Sequence, residues 1–167
     1  AIQINDVSET ARNRIHLRET NQHLSEISRK DGLTGLFNRA FWEQSLKDEF
    51  AQLKVIEGAS SLVIFDIDHF KKVNDTYGHH TGDEVIRRTS SLLRKTARSS
   101  DVCGRFGGEE FTVLLPHTNQ EQACYFAERL RKRIEQEIVK VEDFLINYTI
   151  SIGVCEYKSY FESHTQW

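Results

Sequence analysis

The chain has 167 residues, 38% hydrophobic and 28% charged, with a formal net charge of −3. That is enough for one domain with a real core plus some extra helix, and it lacks the concentrated basic face that binding to a nucleic-acid backbone requires. Three widely spaced cysteines, Cys103, Cys124 and Cys155, fit neither a disulfide framework nor a zinc ribbon and point to a reducing, cytoplasmic setting. No apolar run approaches the roughly 20 residues of a membrane span, the N-terminus has no apolar signal core, and the absence of Met suggests a piece of a longer polypeptide.

Residues 6–30 are polar and free of Gly and Pro, with Leu17, Thr20, Leu24 and Ile27 at helical seam spacing. Ile4, Val7, Ala11 and Ile15 continue the stripe out of heptad phase. The expectation is a stalk helix over residues 1–30 that pairs with a second copy; the plain alternative is a connector helix packed on its own domain. Gly32 and Gly35 break it, and a second unit runs over residues 31–167.

Within that unit, residues 38–55 read as an amphipathic helix with Phe41, Leu46, Phe50 and Leu53 available to a core. Residues 61–68 (SLVIFDID) are a continuous apolar run ending in carboxylates, as in a central strand covered on both faces. A short helix over 69–75, the Gly78-His79-His80 turn and a helix over 82–98 follow, with Thr81 and Glu84 at capping-box spacing. Residues 102–106 and 110–115 read as a hairpin turned by Gly107-Gly108 and ended by Pro116. Residues 119–136 are helical and 148–154 form a last strand. The order α-β-α-β-β-α-β gives an α+β fold with a mixed central sheet flanked by helices.

Two positions carry the chemistry. Asp66 interrupts the best buried strand, and a buried unpaired carboxylate is costly, so it calls for a cation: an Arg, a Lys, or a metal. The turn Gly107-Gly108-Glu109-Glu110-Phe111 places two carboxylates where a strand begins. If Asp66 and Glu109 converge, two hard oxygen ligands and nearby carbonyls suit Mg²⁺, leaving positions for water and phosphate, the usual arrangement for nucleotidyl transfer.

These residues stand in longer motifs: DGLTGLFNR over 31–39, FDIDHFKKVNDTYGHHTGD over 65–83, RSSD over 98–101, GRFGGEEF ending at Phe111 and SIGV over 151–154. Five motifs in this order resemble the GGDEF family of bacterial diguanylate cyclases, in a GGEEF variant. The resemblance implies a palm-like nucleotide cyclase fold. It implies that Asp66, Glu109 and the backbone carbonyl of Ile67 hold Mg²⁺ or Mn²⁺, with Glu110 as a supporting ligand, and that Glu109 deprotonates the ribose 3′-hydroxyl. Asn74 and Asp83 match positions that bind guanine, whose N1–H and N2–H a carboxylate accepts together. His79 and Lys71 match positions near the substrate, and Gly107 and Gly108 let its phosphates approach. Arg98 and Asp101 match an inhibitory site for product, with Arg129 as its second arginine beside the competing Arg131 and Lys132. Taken singly, most of these residues have plainer readings: a turn Asn, a first-turn Asp, a solvated Lys, a C-terminal Arg against a helix dipole.

The implied reaction condenses two GTP into cyclic di-GMP with release of pyrophosphate. Two domains must face each other, so a homodimer through the stalk is expected, with a sensory region or regulatory protein acting on it. Family members continue past SIGV into a helix and a final strand that bring basic residues to the triphosphate; here residues 159–167 end the chain, so the domain is expected to be C-terminally incomplete and its phosphate binding weakened. The alternatives are an inactive module that senses GTP or cyclic di-GMP, and an interaction protein working through its stalk.

Overall fold

A computed structural model describes the backbone of residues 5–167, and its side chains except at positions 5–7, 23 and 25–27. Helix α1 (Asn5–Ile27) and helix α2 (Arg39–Val55) lead into strand β1 (Ser60–Ile67). Helices α3 (Phe70–Tyr77) and α4 (His79–Thr96), strands β2 (Val102–Gly107) and β3 (Glu110–Pro116) and helix α5 (Gln120–Glu135) follow. Strands β4 (Val139–Val141), β5 (Phe144–Ile146) and β6 (Ile150–Glu156) precede a closing 3-10 turn at His164–Gln166.

The α+β class expected from the sequence is what the chain adopts, with one refinement. The main sheet runs in the order β2-β3-β1-β6, and its ladders are antiparallel throughout rather than mixed; the parallel contribution is an isolated bridge between Phe37 and Gly104. Hydrophobic runs specify strands but not the direction in which they pair, which tertiary packing decides.

The core lies on one side of this sheet. Val63, Phe65 and Ile67 of β1 and Phe111 and Val113 of β3 point toward Val85 and Leu93 of α4 and Ala123, Leu130 and Ile134 of α5, all buried, and Phe65 stacks on Phe111 at 5.0 Å. On the other side, α2 covers only part of the sheet: Trp42 and Leu46 pack on Leu62 and Leu114, while Ile64 is 53% exposed. The expectation that β1 is covered on both faces therefore fails over its C-terminal half. Asp66 lies there and is exposed, so it bears no burial cost of the kind the sequence implied.

Three further local expectations change. Helix α4 begins at His79, three residues earlier than expected, because Gly78 (φ 88°) makes the break by itself. Thr81 is then inside the helix, where its hydroxyl donates to the Tyr77 carbonyl at 3.0 Å; the Thr81–Glu84 capping box is not formed. The hairpin β4–β5, two three-residue strands turned at Glu142 (φ 52°), was absent from the expected order. By contrast, α5 does carry a capping box, between Asn119 and Gln122.

Along α1, Ile15, Leu17 and Leu24 are each more than half exposed, so the seam is not packed on the chain's own domain. Ile4 lies outside the described residues, as do the side chains of Val7 and Ile27.

Candidate active site

The C-terminal end of β1 organises the site. Asp66 stands there directly opposite Glu110 of β3 and beside Ser151 of β6. Directly opposed residues of an antiparallel pair share a face with their Cβ atoms about 5 Å apart, and like charges so placed repel. A cation between the Asp66 and Glu110 carboxylates removes that repulsion.

Glu109 reaches the same place through the hairpin. Strands β2 and β3 join through a two-residue loop, Gly108-Glu109, with an irregularity between Arg105 and Gly107. Gly107 (φ 148°) and Gly108 (φ 49°) adopt backbone conformations that a side chain would strain. The tight turn folds Glu109 back on β1, where its carbonyl accepts the Ile67 amide at 3.3 Å. Glu109 is half-buried and Glu110 exposed.

Arg105, which the sequence reading did not single out, braces this turn. Its Nε and Nη2 donate to the Gly108 carbonyl at 3.0 and 2.9 Å, and its Nη1 lies 3.2 Å from both oxygens of Asp31. Asp31 also accepts the Thr34 amide at 2.9 Å and hydroxyl at 2.7 Å. Burial pushes the Asp31 carboxyl up, but the Thr34 hydrogen bonds and the Arg105 charge outweigh it and the net displacement is downward. An Arg two residues before a Gly-Gly turn, with an Asp at the domain's start, was the available signal.

Asp68 makes a second brace. Its backbone amide donates to the Thr149 carbonyl at 2.9 Å, and its two carboxylate oxygens accept Ser151 Oγ at 2.5 Å and Thr149 Oγ1 at 2.6 Å. Those two hydroxyls hold the carboxyl below its usual range. Asp68 ties the end of β1 to the start of β6, fixing the residue on either side: Ile67, and His69, whose left-handed backbone (φ 56°) starts α3.

The α3–α4 corner holds the expected base-binding pair. Asn74 is half-buried on α3 and Asp83 half-buried in α4, where the earlier start at His79 puts it past the first turn. The Asn74 side chain lies against Gly82, the residue before Asp83, which is possible because Gly82 has no side chain: a Cβ there would overlap Asn74 Oδ1 outright and press on Phe70. Lys71 on α3 and His79 at the start of α4 are exposed.

Arg98, Asp101 and Arg129 line one small cleft on the molecule. The Arg98 amide donates to Asp101 Oδ2 at 2.7 Å and the Asp101 amide to the Arg98 carbonyl at 3.1 Å, a reciprocal turn. Burial raises the Asp101 carboxyl, against the Arg98 amide bond and the charges of Arg98 and Arg129. Arg129 is anchored by Nη2 on the Thr96 carbonyl at 2.9 Å. Its rivals are engaged elsewhere: Arg131 pairs with Glu128 and Glu135, and Lys132 with Glu128.

Among the described residues no three His, Cys, Asp or Glu side chains form a metal-binding group. The donor set at the end of β1 is instead two or three carboxylate oxygens on adjacent backbones with a neighbouring carbonyl, all hard oxygen donors. This fits an ion that keeps several positions for water and phosphate, as Mg²⁺ does. No helix among the described residues is long and apolar enough to cross a membrane.

A family model described as "Diguanylate cyclase, GGDEF domain" matches residues 28–166. The chain is 36% identical over 151 residues to the probable diguanylate cyclase DgcC of Escherichia coli (strain K12), covering 90% of this chain and 40% of that protein; it thus spans less than half the length of this relative. Among solved structures, the coiled coil and GGDEF domain of DgcB from Caulobacter crescentus, in complex with c-di-GMP, superposes with a TM-score of 0.90 at 29% identity, over 96% of this chain and 85% of that one. Diguanylate cyclase SiaD from Pseudomonas aeruginosa, in complex with its activator SiaC, gives a TM-score of 0.81 at 35% identity, over 96% and 61%. With Asp66, the Gly107–Phe111 turn and the α3–α4 corner in the positions described, the chain belongs to the GGDEF family of diguanylate cyclase domains.

Proposed function

We propose that this domain condenses two GTP into cyclic di-GMP with release of two pyrophosphates. The observation that carries the proposal is the meeting of Asp66 with the Glu109-Glu110 turn at the end of β1, where otherwise uncompensated carboxylates suit a metal-bound triphosphate. Asp66, Glu109 and the Ile67 carbonyl are the residues to hold Mg²⁺ or Mn²⁺, with Glu110 in support; when bound, the ion neutralises charge on the α-phosphate and acidifies the attacking hydroxyl.

The chain's own residues then divide the work. Asp83 accepts the guanine N1–H and N2–H while Asn74 fixes its edge, a pairing adenine cannot supply. Gly107 and Gly108 let phosphate approach the backbone, and Lys71 and His79 lie on the flanking helices to meet its charge. Glu109 takes the proton of the ribose 3′-hydroxyl as it attacks the second substrate.

Each domain binds one GTP, so two copies face each other for reaction. The exposed seam of α1 supports pairing through residues 1–30, which raises the local concentration of the two domains. A regulatory protein acting on α1 is consistent with the activator complex of SiaD. Arg98, Asp101 and Arg129 form the product site, which damps synthesis as cyclic di-GMP accumulates. GTP as substrate places the domain in the cytoplasm.

The test is to incubate the protein with GTP and Mg²⁺ and to measure cyclic di-GMP by mass spectrometry. Product supports the cyclase. Absence of product together with tight binding of added cyclic di-GMP replaces it with the sensing module.

A further inference from the structure

The cleft of Arg98, Asp101 and Arg129 is also lined by Leu115, Thr118 and Tyr125. The volume within this partly open cleft is only about 40 Å³, room for a few water molecules and far less than a purine needs. A guanine bound at this cleft therefore lies on the rim, with only its polar edge or a phosphate reaching inward. The rim must offer a flat surface.

Tyr125 offers one. It is 73% exposed, and among the described residues it has no hydrogen-bond or ring partner, although a large aromatic side chain ordinarily finds apolar cover. It sits four residues before Arg129 on α5, so the two side chains project from one face of the helix. Arg129 is held by the Thr96 carbonyl and lies 5.9 Å over the Phe126 ring. Across the cleft, the Arg98 guanidinium makes no hydrogen bond among the described residues, leaving its fork free for phosphate or the guanine edge.

We infer that Tyr125 is the stacking platform for a guanine base of the dinucleotide held by Arg98, Asp101 and Arg129. This rests on reading the cleft as the cyclic di-GMP site. The ring, not the phenol hydroxyl, supplies the interaction: base-on-aromatic stacking depends on the π-face and survives replacement by another aromatic. The two arginines and Asp101 supply charge and edge recognition, and Tyr125 sets affinity by covering the base.

Calorimetric titration of cyclic di-GMP into the protein and its Tyr125→Ala, Tyr125→Phe and Arg98→Ala variants tests this. The expected result is an affinity about tenfold weaker in Tyr125→Ala, within about twofold of the parent in Tyr125→Phe, and weaker still in Arg98→Ala. If Arg98→Ala removes binding but Tyr125→Ala does not change it, or if Phe fails to restore what Ala loses, the stacking role is wrong while the product site stands. If the parent protein binds no cyclic di-GMP, the reading of the cleft itself is overturned, and the stacking role with it.

Discussion

Arg105 holds the Asp31 carboxylate at 3.2 Å with one arm and the Gly108 carbonyl at 2.9 Å with another, so a single side chain joins the first residues of the domain to the turn that carries Glu109. With side-chain exposures of 13% and 22%, the pair is partly withdrawn from water, which makes it stronger than an ordinary surface ion pair. Arg105→Ala is expected to cost about 2 kcal/mol of stability and to lower turnover about tenfold, because the turn loses two hydrogen bonds. Arg105→Lys keeps the charge but not the fork, and restores stability better than turnover. Chemical denaturation and product formation measured on both variants check this; equal loss of both properties in the Lys variant would argue against a role in holding the turn.

Gly82→Ala should act opposite to helix propensity. Alanine in a helix ordinarily gains up to about 1 kcal/mol over glycine, but here its methyl collides with Asn74. We expect a lower Tm and an apparent KM for GTP about tenfold higher, with a smaller change in kcat, since Asn74 is displaced from the base-binding corner. A higher Tm with unchanged KM would show that the α3–α4 corner does not bind the base.

Asp68 gives a pH signature. Its folded carboxyl titrates below the ordinary value of 3.8, so its contribution to stability is fully present above that value and is lost as pH falls through the lower folded one. At neutral pH, Asp68→Asn should cost about 1 kcal/mol, because both hydrogen bonds lose their charge assistance and the amide NH2 cannot accept from one of the two hydroxyls. The difference from the parent should shrink below about pH 4. Denaturation across pH 3 to 7 follows it; a difference independent of pH would mean that the two hydroxyls do not stabilise the ionised form.

Asp101 carries the opposite sign. Its folded carboxyl is raised above 3.8, so the charged form is disfavoured in the folded protein and stability declines as pH rises through that window. Asp101→Asn keeps an acceptor for the Arg98 amide and removes the charge. A rise in Tm on the order of 1 °C at neutral pH is expected, together with at least about tenfold weaker cyclic di-GMP binding. Thermal melts and titration check both, and a Tm decrease would contradict the assigned burial effect.

Much of this was legible in the sequence because local chemistry forces it. The run of residues 61–67 can only be a strand of the core, and Gly107-Gly108 can only be a turn of unusual backbone. The misses have physical reasons too. Asp66 looked buried because its strand is apolar, but α2 stops covering the sheet at Leu62. The β4–β5 hairpin has strands of three residues and a turn at Glu142-Asp143 without glycine, too short to show a period. Asp68 was only one of the carboxylates that end the apolar run; its hydroxyl partners, Thr149 and Ser151, lie some eighty residues away, and only the pairing of β1 with β6 brings them in. Arg129 could not be separated from Arg131 and Lys132 until their partners were known.

The measurement that bears most directly on the cyclase reading is cyclic di-GMP formation from GTP and Mg²⁺ by the parent protein, Glu109→Gln and Asp66→Asn, each first shown to bind cyclic di-GMP at the Arg98 cleft as a check of folding. Product from the parent and a loss of about 100-fold or more in each variant, with cleft binding retained, is the predicted result. Product formation undiminished by either substitution would contradict it.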